Sequence, residues 1–438
     1  MTEIKKVKAR TLPGFMELMP DQQILFNKMY DSIRKSYEKF GFIPLDTPIL
    51  ESSEVLLAKA GGETEKQIYR FTKGDTDMSM RFDLTVPLAK YVAMHYGELT
   101  FPFRRYQMSK VFRGERPQKG RYREFYQCDI DIIGDNELSI LNDAEIPSII
   151  YTTFKDLGFE SFVIRINNRK VLNGFFESLG LSNNVSDILR IIDKLEKIGE
   201  EATVECLKEL SIENDKISSI VSFMKIDGTP LEIIAALKSL NISNEEYLNG
   251  IYELEQVVNG VIAFGIPQDN FKIDLKIARG LDYYTGTVYE TMLTDYPGLG
   301  SVCSGGRYDN LAEYYTNKKL PGVGISIGLS RLFAYLTSEN VIKPNESTTA
   351  KVLIIPMIED INYVFNIANK IREEGINTEV SYNRKTVKSM LNYANKLKIP
   401  YVVFIGEDEK VNNNITIKDM QTGNQETIEV KEIVNYIK

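Results

Sequence analysis

Residues 112–127, FRGERPQKGRYREFYQ, set five cations (Arg113, Arg116, Lys119, Arg121, Arg123) against two acids, Glu115 and Glu124. Tyr122, Phe125 and Tyr126 are interleaved with them. Guanidinium groups fork onto phosphate oxygens, an aromatic ring offers a π-face to a base, and an amide or acid such as Gln127 or Glu115 reads polar edges. Three targets suit this pattern: a nucleoside triphosphate, a nucleic-acid backbone, or simply solvent around a charged face. A second concentration, ARGLDYYTGTVYE at 278–290, interrupts a strand pattern with Arg279, Asp282, Tyr283 and Tyr284, and Gly280 and Gly286 there suggest a close backbone approach. A third, SVCSGGRYDNL at 301–311, repeats the Gly-Gly-Arg-Tyr theme, and Arg331 opens a helix after Gly328.

The basic stretch stands out because the 438-residue chain carries a net charge of −8. Segment 104–124 holds eight Lys/Arg against two Glu, whereas 181–260 holds seven against fifteen acids and so accounts for the whole acidic excess. A general polyanion binder is disfavoured, since such proteins carry a basic surplus. One histidine, His95, and three scattered cysteines without a CxxC disfavour zinc sites and histidine-activated nucleophiles. His95, in YVAMHYGEL, reads as a half-buried helix position. No GxxxxGK[ST] is present, and Gly322-x-Gly324-x-x-x-Gly328 has the wrong spacing for a dinucleotide fingerprint. The N-terminus lacks an apolar signal region and no apolar run reaches about 18 residues, so the expectation is a cytoplasmic protein with reduced thiols and no membrane partner.

These residues need elements to hold them. Length and composition predict two or three domains. Phe26, Met29, Tyr30, Ile33, Tyr37 and Phe40 follow the 3.6 period and predict a helix from Pro20 to Gly41. Pro44 and Pro48 in FIPLDTPILE place an extended stretch at an edge or interface. Strands around Lys110–Phe112 and Glu124–Ile133, with a turn at Pro117 and Gly120, put the cations on an antiparallel hairpin. Residues 181–260 read as helical, and 351–438 as a βαβαβ module closed by a polar hairpin. The segment 384–398 has five cations and no acid, which suits phosphate or a solvated helix face equally.

Taken together, FRGERPQKGRYREFYQCDIDIIG resembles motif 2 of class II aminoacyl-tRNA synthetases, PGVGISIGLSRL motif 3, and FGFIPLDTPILE the motif 1 region. ARGLDYYTGTVYE is similar to the signature of the histidyl-tRNA synthetase family. The resemblance implies an α+β fold: a six-stranded antiparallel catalytic sheet (1–180 and 261–336), a helical insertion (181–260), a linker (337–350) and a C-terminal α/β anticodon-binding domain (351–438). It implies a homodimer built on motif 1, with ATP as substrate, Mg²⁺, L-histidine and tRNA(His) as partners, and no protein-held metal.

Carried over residue by residue, the resemblance makes Arg113 and Arg279 catalytic beside the α-phosphate. Arg113, Glu115, Arg121, Phe125 and Arg331 would bind ATP. Asp83, Leu84 and Thr85 of RFDLT, with Arg113, Gln127, Asp131, Arg279, Tyr283 and Tyr284, would bind histidine. Arg116, Gln118, Arg123, Arg384, Lys385 and Lys388 are candidates for tRNA. Two alternatives accompany this reading: a catalytically silent, synthetase-like regulatory subunit of ATP phosphoribosyltransferase, and a same-class synthetase for proline, threonine or glycine.

Overall fold

Along the strand Glu124–Ile133, Phe125, Gln127, Asp129 and Asp131 alternate with Tyr126, Cys128, Ile130 and Ile132, which gives the strand one polar and one apolar face. The neighbouring strand Phe103–Phe112 matches it, placing Arg105, Gln107 and Ser109 opposite Asp131, Asp129 and Gln127. The structure, a computed structural model, describes residues 6–58, 63–118, 120–277, 284–382 and 386–437. Its contacts form two units, one of 1–16 with 30–339 and one of 17–29 with 340–438.

In the first unit the two strands belong to an eight-stranded sheet. Across it run Ile43–Pro44, Phe103–Phe112, Glu124–Ile133, Gly322–Ile327, Ser301–Tyr308, Thr287–Leu293, Phe162–Asn168 and Phe271–Ile273. The inner six are antiparallel, as the resemblance implies, and each edge adds one short parallel strand. Pro44 sits on the Ile43–Pro44 edge, where its missing N–H leaves no ladder bond unmade.

The apolar face is covered by helices. Tyr37, fully buried, donates its hydroxyl to the Cys128 carbonyl at 2.9 Å. The helix Leu141–Asp156 lays Ile146, Ile149, Ile150 and Phe154 into the core. It is fastened by Arg307, whose Nη2 and Nε donate to the Asp143 carboxylate at 2.6 and 3.0 Å, and by Tyr289, whose hydroxyl donates to the Asp143 carbonyl at 2.7 Å. Residues 185–263 are helical over Val185–Ile192, Leu195–Glu209, Asn214–Met224, Pro230–Ser239 and Glu245–Ala263, the second of these broken by a kink at Gly199. Thr229 closes a reciprocal capping box with Glu232, and Asn244 caps the last helix through Tyr247 N–H.

Among the described residues of the 278–290 stretch a strand runs from Thr287; residues 278–283, including Arg279 and Tyr283, lie outside the described residues. One expectation needs correction. The strand predicted near Lys110 reaches back to Phe103, and its cations are structural: Arg105 is fully buried, Arg104 pairs with Glu145 at 2.9 Å, and Lys110 pairs with Glu124 at 2.7 Å. Less of the basic surplus therefore faces a ligand than the residue count suggests.

The second unit holds a five-stranded sheet in the order Thr378–Val380, Val352–Pro356, Tyr401–Ile405, Asn414–Asp419, Gln425–Glu429. Its first three strands are parallel and the last two form the antiparallel hairpin. The continuous apolar run VLII is buried on both faces: Val352 and Ile354 meet Val364, Ile367 and Ile371 of the helix Ile361–Glu373, while Leu353 and Ile355 meet Met390 and Ala394 of the helix Val387–Leu397.

Arg307→Ala strands the Asp143 carboxylate in the interior, and removing one partner of a buried pair costs about 3–5 kcal/mol. The urea midpoint of the first unit is expected to fall accordingly, with an unchanged slope, when followed by tyrosine fluorescence.

Candidate active site

The polar sheet face opens into a cavity of about 840 Å³. Its floor is made by Gln127, Asp129 and Asp131 of one strand, with Ser304, Gly324 and Ser326 from the two next to it. Gly324 is a packing requirement, because a Cβ there would sit 2.3 Å from Asp131 Oδ1. Gly322 likewise clears Tyr308, whose hydroxyl donates to Asp131 Oδ1 at 2.6 Å. The glycines of PGVGISIG thus make room for a carboxylate and a tyrosine.

The hairpin supplies the opposite character. Gln118 and Arg121 exchange backbone hydrogen bonds of 3.3 and 2.9 Å, and Gly120 adopts φ +78°, which closes the turn and brings the tip against Arg331. Arg113 lies between two rings, its guanidinium carbon 4.4 Å from the Phe82 centroid and 5.1 Å from that of Phe125, and its Nε donates to the Phe82 carbonyl at 3.2 Å. Arg121 reaches Glu115 across 3.7 Å, and Arg331 Nη2 donates to the Leu299 carbonyl. Arg113, Arg116, Arg121 and Arg331 give the cavity a positive wall.

Three buried carboxyls, Asp83, Asp129 and Asp131, share the field of the buried guanidinium of Arg105. Asp83 Oδ1 accepts from the N–H groups of Thr85 and Val86 at 3.1 and 2.9 Å. Burial raises its pKa, against those bonds and Arg113. Asp131 takes Arg105 Nη2 at 2.7 Å and the Tyr308 hydroxyl, yet burial still lifts it to about 6. For Asp129 burial is again the largest cause, opposed by Arg105 and Ser326 and reinforced by Asp131 and Asp83, and it rises to about 7. A cavity lined by guanidiniums and by buried carboxyls fits a ligand that carries both phosphates and an ammonium.

Of the residues expected from the sequence, Asp83, Thr85, Arg113, Glu115, Arg116, Gln118, Arg121, Phe125, Gln127, Asp131, Tyr284 and Arg331 line this one cavity. Leu84 does not; it is fully buried, and its carbonyl accepts from Arg105 Nη2 at 3.1 Å. Arg123 does not either, since its Nε donates to the Glu115 carbonyl at 3.1 Å and its stem packs on Gly14. Lys388 belongs to the second unit, in the helix Val387–Leu397. Arg279, Tyr283, Arg384 and Lys385 lie outside the described residues. His95 is absent from the lining, its ring 4.6 Å from that of Tyr91.

Sequence reasoning missed Asp129, Arg105, Tyr308 and Ser326. The alternation Gln127-x-Asp129-x-Asp131 was the available signal, because three polar residues on one strand face beside an apolar one mark a lined cavity or a wet surface. It also missed Arg169, Arg190, Asp193 and Lys194, which the helices after Asn168 bring to the cavity wall.

Comparison with known proteins agrees with this geometry. Residues 14–332 match the family model of histidyl-tRNA synthetase, and residues 351–438 match an anticodon binding domain. A histidine–tRNA ligase of Clostridium tetani is 61% identical over 433 residues, covering 99% of this chain and 98% of the relative. One from Finegoldia magna is 46% identical, covering 99% and 100%. The crystal structure of a histidyl-tRNA synthetase from Nostoc superposes with a TM-score of 0.91 at 40% identity, covering 99% of each chain. The antiparallel sheet with its basic hairpin is a class II synthetase fold. The chain belongs to the histidyl-tRNA synthetase family.

Asp129 also makes a stability prediction. Its folded value lies near 7 against 3.8 for the free side chain. Between those values the native state holds a proton that the unfolded chain has released, so stability falls as pH rises through this window. Asp129→Asn is therefore expected to raise the urea midpoint of the ligand-free protein near pH 8, by an amount on the order of a few kcal/mol, and to change little near pH 4.

Proposed function

We propose that this chain activates histidine with ATP and transfers it to the 3′ end of tRNA(His). The observation that carries the reading is the joining of Arg113 and Arg331 to Asp83, Gln127 and Asp131 in one cavity. In the first step a carboxylate oxygen of histidine attacks the α-phosphorus of ATP. The new P–O bond forms as the bond to pyrophosphate breaks, leaving histidyl-adenylate. The attacking carboxylate is already ionised at neutral pH, so no general base is needed. The difficulty is electrostatic, since two anions meet and charge gathers on phosphoryl oxygens.

The residues divide that task. Arg113, held in its slot by Phe82 and Phe125, bridges the histidine carboxylate and the α-phosphate, and Arg279 joins it there. Arg121 and Arg331 take the outer phosphates, which requires Arg121 to leave Glu115; Glu115 then reads the adenine or ribose side and Phe125 stacks the adenine. Asp83, Thr85, Gln127 and Asp131 hold the α-ammonium, while Tyr283 and Tyr284 serve the ring. Among the described residues no group of three or more His, Cys, Asp or Glu could hold a metal ion. Mg²⁺ arriving with the phosphates of ATP would neutralise part of their charge. In the second step a hydroxyl of the terminal ribose attacks the mixed anhydride and AMP departs.

Arg116 and Gln118, which line the cavity, would meet the acceptor end, and Arg384, Lys385 and Lys388 belong to the region that matches an anticodon binding domain. That matched region, with Arg113, Arg121 and Arg331 retained, favours the ligase over a silent regulatory subunit. We place the enzyme in the cytoplasm; among the described residues no helix is long and apolar enough to cross a membrane. The edge strand Ile43–Pro44 and the small sheet formed by Leu50–Ser52, Thr76–Met80 and Arg70–Lys73 expose Ile43, Ile49, Leu50 and Phe71, an apolar face suited to a second copy of the chain.

Arg113→Ala is expected to lower histidine-dependent pyrophosphate–ATP exchange by about 10³-fold, and near-normal exchange would refute its role. Wild-type protein that neither exchanges nor charges total tRNA with histidine would support the regulatory alternative. Leu50→Asp combined with Phe71→Asp should shift sedimentation velocity from dimer to monomer; a purely monomeric wild type would remove the dimer from the proposal.

A further inference from the structure

Three carboxyls meet at the floor of the cavity, and they are not equally compensated. Asp83 has two backbone N–H donors at the start of the helix Thr85–Met94, and Asp131 has Arg105 and Tyr308. Asp129 has only the Ser326 hydroxyl, which in turn accepts from Gln127 Nε2 at 2.8 Å. Its Oδ1 is buried without a hydrogen-bond partner although the residue lines the cavity and is only 3% exposed.

Among the described residues no cation is hydrogen-bonded to that oxygen. From Phe103–Phe112, Gln107 lies opposite Asp129 but turns its Nε2 to Asp46 at 2.8 Å and Thr47 at 3.2 Å, and Arg105 is committed to Asp131. Arg81, which also interacts electrostatically with Asp129, donates to Asp46 and to the carbonyls of Thr47 and Lys110. Gly324 and Ser326 face it from Gly322–Ile327, and Gln127 and Asp131 flank it on its own strand. Asp83 and Arg113 line the same cavity, and the thiols of Cys128 and Cys303 and the hydroxyl of Tyr37 are close enough to interact electrostatically with Asp129. An ammonium from the ligand would give the buried Oδ1 the donor that it lacks among the described residues.

We propose that Asp129 is a positioning residue that stores a proton on its carboxyl in the empty site and releases it when the α-ammonium of histidine arrives. It deepens the reading of this cavity as a histidine site and rests on it. The released proton goes to solvent, the ammonium keeps its own, and the charge of the floor is thereby matched to the ligand. Selection follows from the same arrangement: an amine-free analogue such as imidazole propionate finds either a neutral acid that cannot hold it or an anion that repels its carboxylate.

The test is histidine binding by calorimetry in buffers of different ionisation enthalpy, without ATP. With the Asp129 carboxyl near 7, wild type should release about half a proton per histidine at about pH 7. Asp129→Asn imitates the protonated form, so its affinity should approach that of wild type near about pH 5, about two units below the carboxyl. The ratio of wild-type to variant affinity, in which the imidazole titration of the ligand cancels, should rise by roughly tenfold or more between about pH 5 and pH 8. Asp129→Glu, which keeps a carboxyl, should retain the slope. A constant ratio overturns the proposal. If Asp129→Asn fails to fold, the wild-type proton count decides: half a proton supports the proposal and none overturns it. Wild type that binds no histidine at all would instead overturn the function proposed for the cavity.

Discussion

The buried pairing of Arg105 with Asp131 is the interaction on which the site depends. A guanidinium with no exposure, 2.7 Å from a carboxylate and backed by the Leu84 carbonyl, is stable only while every element around it stays in register. Arg105 comes from one strand, Asp131 from the next, Tyr308 from a strand two further on, and Leu84 from the turn into a helix. The charges therefore report whether the sheet is assembled correctly. A shift of one residue would send the whole polar row to the apolar face.

From that pairing the cavity acquires its polarity. Asp83, Asp129 and Asp131 exceed the one buried cation among them, so the floor is short of positive charge, while the hairpin wall with Arg113, Arg121 and Arg331 is short of negative charge. A zwitterionic amino acid beside a triphosphate satisfies both at once. The raised pKa values of the floor carboxyls are the mark of this mismatch in the empty protein, because burial without enough counter-charge favours the neutral form.

Much of this was legible in the residues. The motif 2 hairpin could be read from Pro117 and Gly120 between two strands, and its arginines from their interleaving with aromatic residues. The helical stretch and the βαβαβ module also followed, since periodicity and glycine or proline punctuation are local signals, whereas the six antiparallel strands were expected from the family resemblance. Arg104, Arg105 and Lys110 were the misleading part. Counted by charge they belong to an anion site, but their partners Glu145, Asp131 and Glu124 are 41, 26 and 14 positions away. No local pattern distinguishes a cation that waits for a ligand from one that already holds a carboxylate.

What the sequence determined alone was chemistry in short range: which residue types occur, which share a strand face, where the backbone must turn, and that one histidine and three dispersed cysteines leave arginine and carboxylate to carry the site. What only the tertiary structure decided was compensation. Asp83, Asp129 and Asp131 are the same residue, yet one is met by helix N–H groups, one by a guanidinium and a phenol, and one by a single hydroxyl. Their protonation differs because the energy of a buried charge depends on the groups within a few ångströms, and those groups come from strands and turns far apart along the chain.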